Sequence, residues 1–193
     1  MGFLDALMGR SKPKKANLDQ LFALPSAAIT LQVATAFTPT GAGAVAFRAA
    51  EGGAFATMQS DVESLLAADA DTKVEASKDA YGFTWLVVHD EGKDASDLVT
   101  NLHAVNTSLE SQGFGPMLLC SLMYFNNPQG DNLALVYLYK RGTFYPFVPA
   151  AGGSQQRNSA LELQIRGVIS NDVPIESDLS RWSPVWGAPG FDS

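Results

Sequence analysis

Three adjacent side chains, His89, Asp90 and Glu91, have the chemistry to hold a divalent metal ion, because an imidazole and carboxylates are common metal ligands. They stand at the end of an apolar segment, without a second histidine or a cysteine at ligand spacing. The same residue types at a strand end also occur as ordinary surface electrostatics. We expect that situation here, and therefore neither a metal ion nor a bound cofactor.

Cys120 is the only residue that could act as a thiol nucleophile. It lies in the apolar segment 117–125, where a buried thiol behaves as a small hydrophobic group. A phosphate-binding loop is also missing, because Gly41 and Gly43 lack the following glycine and lysine. No catalytic residue can be named, and we expect a protein that is not an enzyme.

Aromatic and basic side chains are combined around residue 140, at a predicted hairpin turn. Such combinations are typical of the hot spots of protein interfaces. The alternative is a tight hairpin whose rings pack on the core, and both hold if one side of the turn is buried and the other exposed. The predicted partner-binding residues are Tyr139, Lys140, Arg141, Phe144 and Tyr145.

The first fifteen residues are basic and partly apolar, on an otherwise acidic chain. They carry four of the thirteen basic side chains and one of the twenty acids, whereas the whole chain has a net charge of −7. A helix over residues 2–9 would gather four apolar residues on one side, directly before the cationic cluster. An anionic membrane surface attracts such a segment, by about 1 kcal/mol for each nearby Lys or Arg. The predicted membrane-contact residues are Phe3, Leu4, Leu7, Met8, Arg10, Lys12, Lys14 and Lys15.

An alternative for this arm is that its apolar residues dock on the body of the protein or on another subunit. An isolated helix shorter than about 12–15 residues is marginal in water. The surface that the arm contacts must therefore supply the ordering energy.

The composition excludes further classes of protein. The chain has 193 residues, of which 46% are hydrophobic and 17% charged, and this suits one well-buried domain. Its longest uninterrupted apolar run, 133–139, is far shorter than the roughly 20 residues of a membrane span. A single cysteine excludes an internal disulfide, and an acidic body argues against a nucleic-acid partner. We expect a cytoplasmic protein that is at most peripheral, on the inner face of the plasma membrane.

The rest of the chain reads as three units, each with two strands followed by a helix, and the third unit has an added short strand before its helix. Strands are indicated by alternating apolar residues and helices by apolar residues three or four apart. The order predicts an α+β fold: three β-β-α units that form a mostly antiparallel sheet with helices on one face. The predicted strands are 28–35, 44–48, 73–77, 83–89, 117–125, 133–140 and 143–148, and a turn over 38–41 joins the first two. The helices begin after Gly53, at Asp94 or Ser96, and after Gly153.

Two domain boundaries follow from this reading: an amphipathic basic arm over 1–16 and a single α+β domain over 17–193. At the start of the domain we predict a short helix that Asn17 caps and Pro25 stops. In the third helix, Glu162 and Arg166 fit an outward-facing ion pair four residues apart.

The tail 172–193 is rich in proline and aromatic residues. Proline at this density forbids a regular helix, and large rings such as Trp182 and Trp186 need a surface to pack on. We predict that the tail wraps back and buries one or both tryptophans.

Several segments also match a known family in the same order and over nearly the whole chain. They are Met1-Gly-Phe-Leu-Asp-Ala-Leu-Met-Gly-Arg10, Leu21-Phe-Ala-Leu-Pro-Ser-Ala-Ala28, Tyr81-Gly-Phe-Thr-Trp-Leu-Val-Val88, Leu102-His-Ala-Val-Asn106, Leu135-Val-Tyr-Leu-Tyr-Lys-Arg-Gly-Thr-Phe-Tyr-Pro-Phe147 and the segment from Pro184 to Pro189. Through them the chain resembles the bacterial PspA-associated proteins, PspAB.

This resemblance implies a cytoplasmic accessory of the phage-shock envelope-stress system. The implied partners are a protein like phage shock protein A, which binds and supports damaged membranes, and a membrane-embedded stress protease. No catalytic residue is implied.

Two hypotheses about function result. The first is a non-enzymatic adaptor that binds phage shock protein A, the inner membrane surface, or both. The second is a soluble dimeric protein, similar in layout to small α+β secretion chaperones, that holds a client segment in a groove.

Overall fold

The computed structural model describes residues 17–48, 53–66, 72–79, 81–152 and 155–191. Within these ranges the chain forms six strands, four α-helices and three short 3₁₀ helices. The strands are β1 (Thr38–Arg48), β2 (Thr72–Lys78), β3 (Phe83–Asp90), β4 (Leu118–Asn126), β5 (Asn132–Leu138) and β6 (Thr143–Phe147). The α-helices are α1 (Leu24–Thr35), α2 (Gly53–Leu66), α3 (Ala95–Ser111) and α4 (Ser159–Ile169), and the 3₁₀ helices are Leu18–Ala23, Gly115–Met117 and Leu179–Arg181.

The six strands form one antiparallel sheet in the order β2-β3-β1-β4-β5-β6. β1 and β2 are joined through α2 and enclose β3, whereas β3 and β4 are joined through α3 and enclose β1. Two interlocked split β-α-β connections of this kind are typical of ferredoxin-like folds. Here the sheet is extended beyond β4 by the β5–β6 hairpin. The α+β class with an antiparallel sheet is therefore confirmed.

Both faces of the sheet are apolar, and both are covered. On one face, strand residues such as Val45 and Leu86 belong to the same buried cluster as Leu31 of α1 and Leu102 of α3. The helices lie on this face, as predicted. The opposite face is a second buried cluster, in which the covering residues come from the C-terminal tail. The central strand β1 is accordingly buried over seven consecutive residues, which alternating burial on a single face could not produce.

Helix α3 begins as predicted at Asp94. The Asp94 carboxylate accepts hydrogen bonds from the backbone N–H groups of Ser96 (2.7 Å) and Asp97 (3.3 Å). These bonds satisfy two of the donors that a helix start leaves free. The apolar face that the spacing predicted, from Leu98 to Leu109, is buried.

The first predicted unit differs from the structure, because residues 28–35 belong to α1 and do not form a strand. Pro25 lies in the first turn of α1, where its missing N–H removes no hydrogen bond. It therefore starts this helix, and the prediction that it stops the preceding one is wrong. Asn17 precedes the 3₁₀ helix without a side-chain cap, so the predicted cap is also wrong.

Strand β1 is longer than predicted and continues through the expected turn near Gly41. The ladder between β1 and β4 shifts register between Pro39 and Gly43. Gly41 has a φ of +82°, and a Cβ there would lie 2.4 Å from the carbonyl oxygen of Asp90. A bulge at glycine therefore replaces the predicted turn.

The tail wraps back over the sheet, as predicted, and buries Trp182. The indole N–H of Trp182 donates to the carbonyl oxygen of Glu176 at 3.0 Å, and its ring stacks on Tyr145 with centroids 6.0 Å apart. The tail is fastened further by the Tyr145 hydroxyl, which donates to the Ser183 carbonyl oxygen at 2.8 Å. Trp186 is half-buried and meets Phe147 edge-on.

The predicted outward pair of Glu162 and Arg166 is wrong. Glu162 is buried, and its carboxylate accepts from Nε of Arg157 at 2.9 Å and from the backbone N–H of Val148 at 2.9 Å. The guanidinium of Arg157 also donates to the Trp182 carbonyl oxygen. Glu162 therefore links α4 to the end of β6 and, through Arg157, to the tail.

Replacement of Trp182 tests the contribution of the tail to stability. We expect Trp182→Ala to lower the free energy of unfolding by about 3–5 kcal/mol, because it opens a cavity in the second buried cluster. Urea denaturation followed by far-UV circular dichroism measures this loss. Leu179→Ala, at a residue of the same segment that is 51% exposed, is the matched control and should change stability little. Equal losses for both variants would contradict a covering role of the tail.

Candidate interaction surfaces

The predicted partner-binding residues lie at the β5–β6 hairpin, as expected. The turn is closed by hydrogen bonds from the backbone N–H groups of Arg141 and Gly142 to the Leu138 carbonyl oxygen, at 3.0 and 2.8 Å. Gly142 has a φ of +69°, which only glycine adopts without strain. The turn therefore holds Lys140 and Arg141 at the surface, where both are exposed.

The three aromatic residues of this set are buried. Phe144 and Tyr145 are neighbours on β6 and face opposite sides of the sheet, Phe144 in the helix-side cluster and Tyr145 in the tail-side cluster. The Tyr139 hydroxyl donates to the carboxylate of Glu110 on α3, and burial raises the pKa of Tyr139. These rings are therefore not available as surface hot spots. A role of the exposed cations in partner binding stays a prediction.

Arg141 is held by an ion pair with the tail. Its guanidinium donates to both carboxylate oxygens of Glu176, whose side chain is 1% exposed. The same carboxylate accepts from the Thr143 hydroxyl at 2.9 Å and from the backbone N–H of Asp178 at 3.0 Å. The hydrogen bond from Arg141 is the main cause that lowers the pKa of Glu176. Arg141 thus fixes the tail to the hairpin, and Lys140 is the cation that the hairpin leaves exposed.

A second surface, which the sequence reading missed, lies along α1. Phe22, Ile29 and Val33 are 50%, 66% and 84% exposed. Ser26, Ile29 and Val33 recur at helical spacing on one side of α1, and Phe22 precedes them in the 3₁₀ helix. We call these three apolar residues the α1 stripe. The opposite side of α1, which includes Leu24 and Leu31, is buried against the sheet-facing core.

The α1 stripe was missed because Ile29, Leu31 and Val33 also alternate as strand residues do. Two signals favour the helix. Leu24, Ala27, Ala28 and Leu31 have the spacing of one helical face, and no charged residue occurs between Asp19 and Arg48. The polar residues of this helix are only serine, threonine and glutamine, so part of its apolar surface remains exposed to water or is covered by something else.

Acidic side chains border the α1 stripe. The Asp172 carboxylate accepts from the Ser26 hydroxyl at 2.7 Å, beside the middle of the stripe. Asp19 lies close to the other end: its side chain is 84% exposed and is 3.4 Å from Nε2 of His103, and the His103 ring contacts Phe22. The apolar surface is thus flanked by negative charge.

Two shallow clefts lie at the end of the sheet where β4 turns into β5. One, of about 370 Å³, is lined by the β4–β5 turn, by 149–152 and by Trp186 and Gly187. The other, of about 260 Å³, is lined by His89, Tyr124 and Phe191 among others. His89 thus faces the tail.

The two carboxylates beside His89, where no metal site was predicted, each contact another group. The Asp90 carboxylate accepts from the backbone N–H of Gly92 at 2.8 Å, and Glu91 pairs with Lys73 at 2.6 Å. Both carboxylates therefore have a partner other than His89. Among the residues that the structure describes, no cluster of His, Cys, Asp or Glu could hold a metal ion.

Cys120 lies in β4, and its side chain packs beside the tail-side cluster. Burial raises the pKa of its thiol to about 12. At neutral pH the thiol is therefore protonated, which does not suit a nucleophile.

The predicted membrane-contact residues, from Phe3 to Lys15, lie outside the described residues. Within the described part of the chain, no helix combines the length and apolarity that crossing a bilayer requires.

The described elements define a class of small α+β proteins: a ferredoxin-like sheet, extended by a hairpin, with helices on one face and a C-terminal tail on the other. Comparison with protein families identifies the group more closely. The model of the family PspAB, PspA associated protein B, matches residues 1–190, and the chain belongs to this family. No match was found among curated proteins or solved structures. The resemblance in the sequence is thereby confirmed, and it links the chain to the phage-shock system.

Protonation of Glu176 tests the ion pair that fixes the tail. The ion pair lowers the pKa of Glu176 from its usual 4.5 in the folded protein. The stabilising effect of the charged carboxylate is therefore present above pH 4.5 and is lost as the pH falls through the lower pKa of the folded state. We expect Glu176→Gln to reduce the free energy of unfolding by about 2 kcal/mol at pH 7. The difference from the unmodified protein should shrink below about pH 4.5.

Urea denaturation at pH 7 and at pH 3.5 measures this dependence. Glu91→Gln is the control, because Glu91 forms an exposed pair with Lys73 and should have little effect at either pH. A loss for Glu176→Gln that does not depend on pH would contradict the assignment.

Proposed function

We propose that this chain is a non-enzymatic accessory of the bacterial envelope-stress response that binds a protein like phage shock protein A at the inner face of the plasma membrane. The observation that carries the proposal is the family match, which spans both the basic arm and the folded body. The family description names association with PspA, and we extend that association to this chain. A membrane-embedded stress protease is a further partner that an adaptor of this kind would connect.

The described residues support binding better than catalysis. The thiol of Cys120 is protonated, and the carboxylates of Glu162 and Glu176 each serve a structural pair with an arginine. Features that face solvent include the apolar α1 stripe and the Lys140 turn. These are features of a surface that contacts another macromolecule.

Charge suggests a division of roles between the arm and the body. The arm carries four cations within residues 10–15, whereas nineteen of the twenty acids lie after residue 15. Anionic lipid attracts the arm and repels the body. In the proposed arrangement the arm contacts the membrane and the body recognises the protein partner.

A second candidate function is a dimeric, chaperone-like protein that holds a client segment. The α1 stripe favours it, because an exposed apolar helix face can bind either a client or a second copy. Light scattering of the purified protein separates the candidates. A dimer that forms without lipid or partner supports the chaperone, and a monomer supports the adaptor.

The hairpin part of the proposal is tested with Lys140→Glu. This variant reverses the exposed charge without removing Arg141 from Glu176, so the fold is expected to survive. We expect binding to a purified PspA-like protein from the same organism to weaken several-fold and to lose part of its salt dependence. Surface plasmon resonance at two salt concentrations measures both effects.

Lys78→Glu is the matched control for this experiment, because Lys78 is an exposed lysine at the far end of β2. Equal affinities for the Lys140→Glu and Lys78→Glu variants would remove the hairpin from the proposed interface. Failure of the unmodified protein to bind at all would reject the proposed partner.

The membrane part is tested by deleting residues 1–15. We expect the deletion to abolish co-sedimentation with vesicles that contain phosphatidylglycerol, because four cations contribute about 1 kcal/mol each near such a surface. Leu4→Asp with Leu7→Asp should weaken sedimentation as well, since it removes two of the four apolar residues and adds two acids that offset two of the four cations. Undiminished sedimentation of the deleted protein would show that the arm is not the membrane-binding element.

A further inference from the structure

The α1 stripe is the largest concentration of exposed apolar side chains in the described part of the chain. Six large hydrophobic residues are exposed in the described part of the chain, and three of them, Phe22, Ile29 and Val33, form the stripe. A fourth, Leu163, lies on α4, which packs against α1. An uncharged helix face of this kind is unfavourable in water, so a cover is expected.

We propose that the apolar side of residues 2–9 of the same chain covers the α1 stripe when no membrane is present. The arm joins the described structure at Asn17, whose carbonyl oxygen accepts from the Tyr137 hydroxyl at 2.6 Å. The arm therefore starts from a fixed point, five residues before Phe22.

The connecting residues are long enough for this contact. Residues 10–16 can span at most about 23–25 Å. The path from Asn17 along the 3₁₀ helix and α1 to Ile29 is about 20 Å at the usual rises per residue. Residue 9 therefore reaches the stripe without any change in the described structure.

The two surfaces also agree in length and charge. Residues 2–9 would measure about 12 Å as a helix, and the part of the stripe that lies on α1, counted from Ser26 to Val33, is about 10 Å long. Four apolar arm residues would face Ile29 and Val33 there, whereas Phe22 lies before this length, in the 3₁₀ helix. The cations of residues 10–15 would then lie near Asp19 and Asp172, which border the stripe.

Charge favours the arm over a second copy as the cover. Two copies that met through their stripes about a two-fold axis would bring the same acids, Asp19 and Asp172, to one interface from both sides. The arm brings cations to the same acids. It is also tethered to the same chain, so its effective concentration at the stripe is on the order of millimolar.

Docking of the arm would control when the α1 stripe is free to bind a partner. This inference rests on the proposed function, in which the arm binds the membrane. The four apolar arm residues cannot lie in a membrane surface and on α1 at the same time. Membrane binding of the arm therefore uncovers the α1 stripe, which then becomes available to a protein partner. The protein would expose the α1 stripe only at the membrane, whereas the Lys140 turn stays exposed with or without lipid.

Disulfide trapping in the full-length protein tests the docking. In a Cys120→Ala background, Leu7→Cys is combined with Val33→Cys and oxidised with copper phenanthroline, which takes up the two electrons released as two thiols form one disulfide. We expect more than half of the protein to become cross-linked within one chain. Non-reducing electrophoresis and peptide mass spectrometry distinguish this product from a cross-linked dimer.

Two controls make the result specific. Leu7→Cys with Tyr81→Cys should cross-link at least fivefold less, because Tyr81 is 80% exposed but lies in the turn between β2 and β3, at the far edge of the sheet. Adding Ile29→Asp to the Leu7–Val33 cysteine pair should abolish trapping, whereas Leu179→Asp should not. A cross-link only between chains, or equal trapping at positions 33 and 81, overturns the proposal.

Vesicles test the release step separately. We expect vesicles that contain phosphatidylglycerol to reduce the intrachain cross-link several-fold, and neutral phosphatidylcholine vesicles to leave it unchanged. If anionic vesicles have no effect on a cross-link that forms without them, docking stands and the release step is overturned together with the membrane role of the arm. If no cross-link forms although the arm binds vesicles, docking alone is overturned.

Discussion

The structure depends on one constraint: a six-stranded sheet that is apolar on both faces needs a cover on each. Helices cover the first face, and the tail, which has no regular helix long enough to do so, covers the second with tryptophan and phenylalanine rings. Several separate contacts hold the tail. The backbone N–H of Phe144 in β6 donates to the Pro174 carbonyl oxygen, and the N–H of Glu176 donates to the Phe144 carbonyl oxygen, at 2.8 Å each. Charged contacts run from Arg141 to Glu176 and from Arg157 to the Trp182 carbonyl oxygen, and tyrosine hydroxyls supply others.

This requirement also decides which residues remain for recognition. The aromatic residues around the β5–β6 turn are divided between the two buried clusters, and Arg141 is paired with the tail, which leaves Lys140 for recognition. Helix α1 has the opposite situation, because one side packs on the core and the other leaves Ile29 and Val33 largely exposed. The apolar surface that the hairpin was predicted to offer is thus found on α1.

Much of the fold could be predicted from sequence where local and tertiary preferences agree. Helix α3 has a capping aspartate, a glycine after its end and an apolar face at helical spacing, and the structure agrees on all three. Helix α1 was misread because Ile29 and Val33 are apolar without being buried, so hydrophobicity did not report burial. Glu162 was misread for the converse reason: only the three-dimensional arrangement brings Arg157 and the backbone N–H of Val148 to it. The exposed apolar surface on α1 was missed with the helix itself, because these residues share one side only when the segment is helical.

The position of the tail along the chain bears on how the protein is made. All six strands precede the residues that cover the second face, so a ribosome completes the sheet before it releases its cover. During the interval, at about 5–20 residues per second, a face that contains Trp85, Tyr124 and Phe147 is open to other nascent chains. Conditions that slow translation near the C-terminal codons would lengthen this exposure, and the newly made protein would then depend more on chaperones that bind at the ribosomal exit.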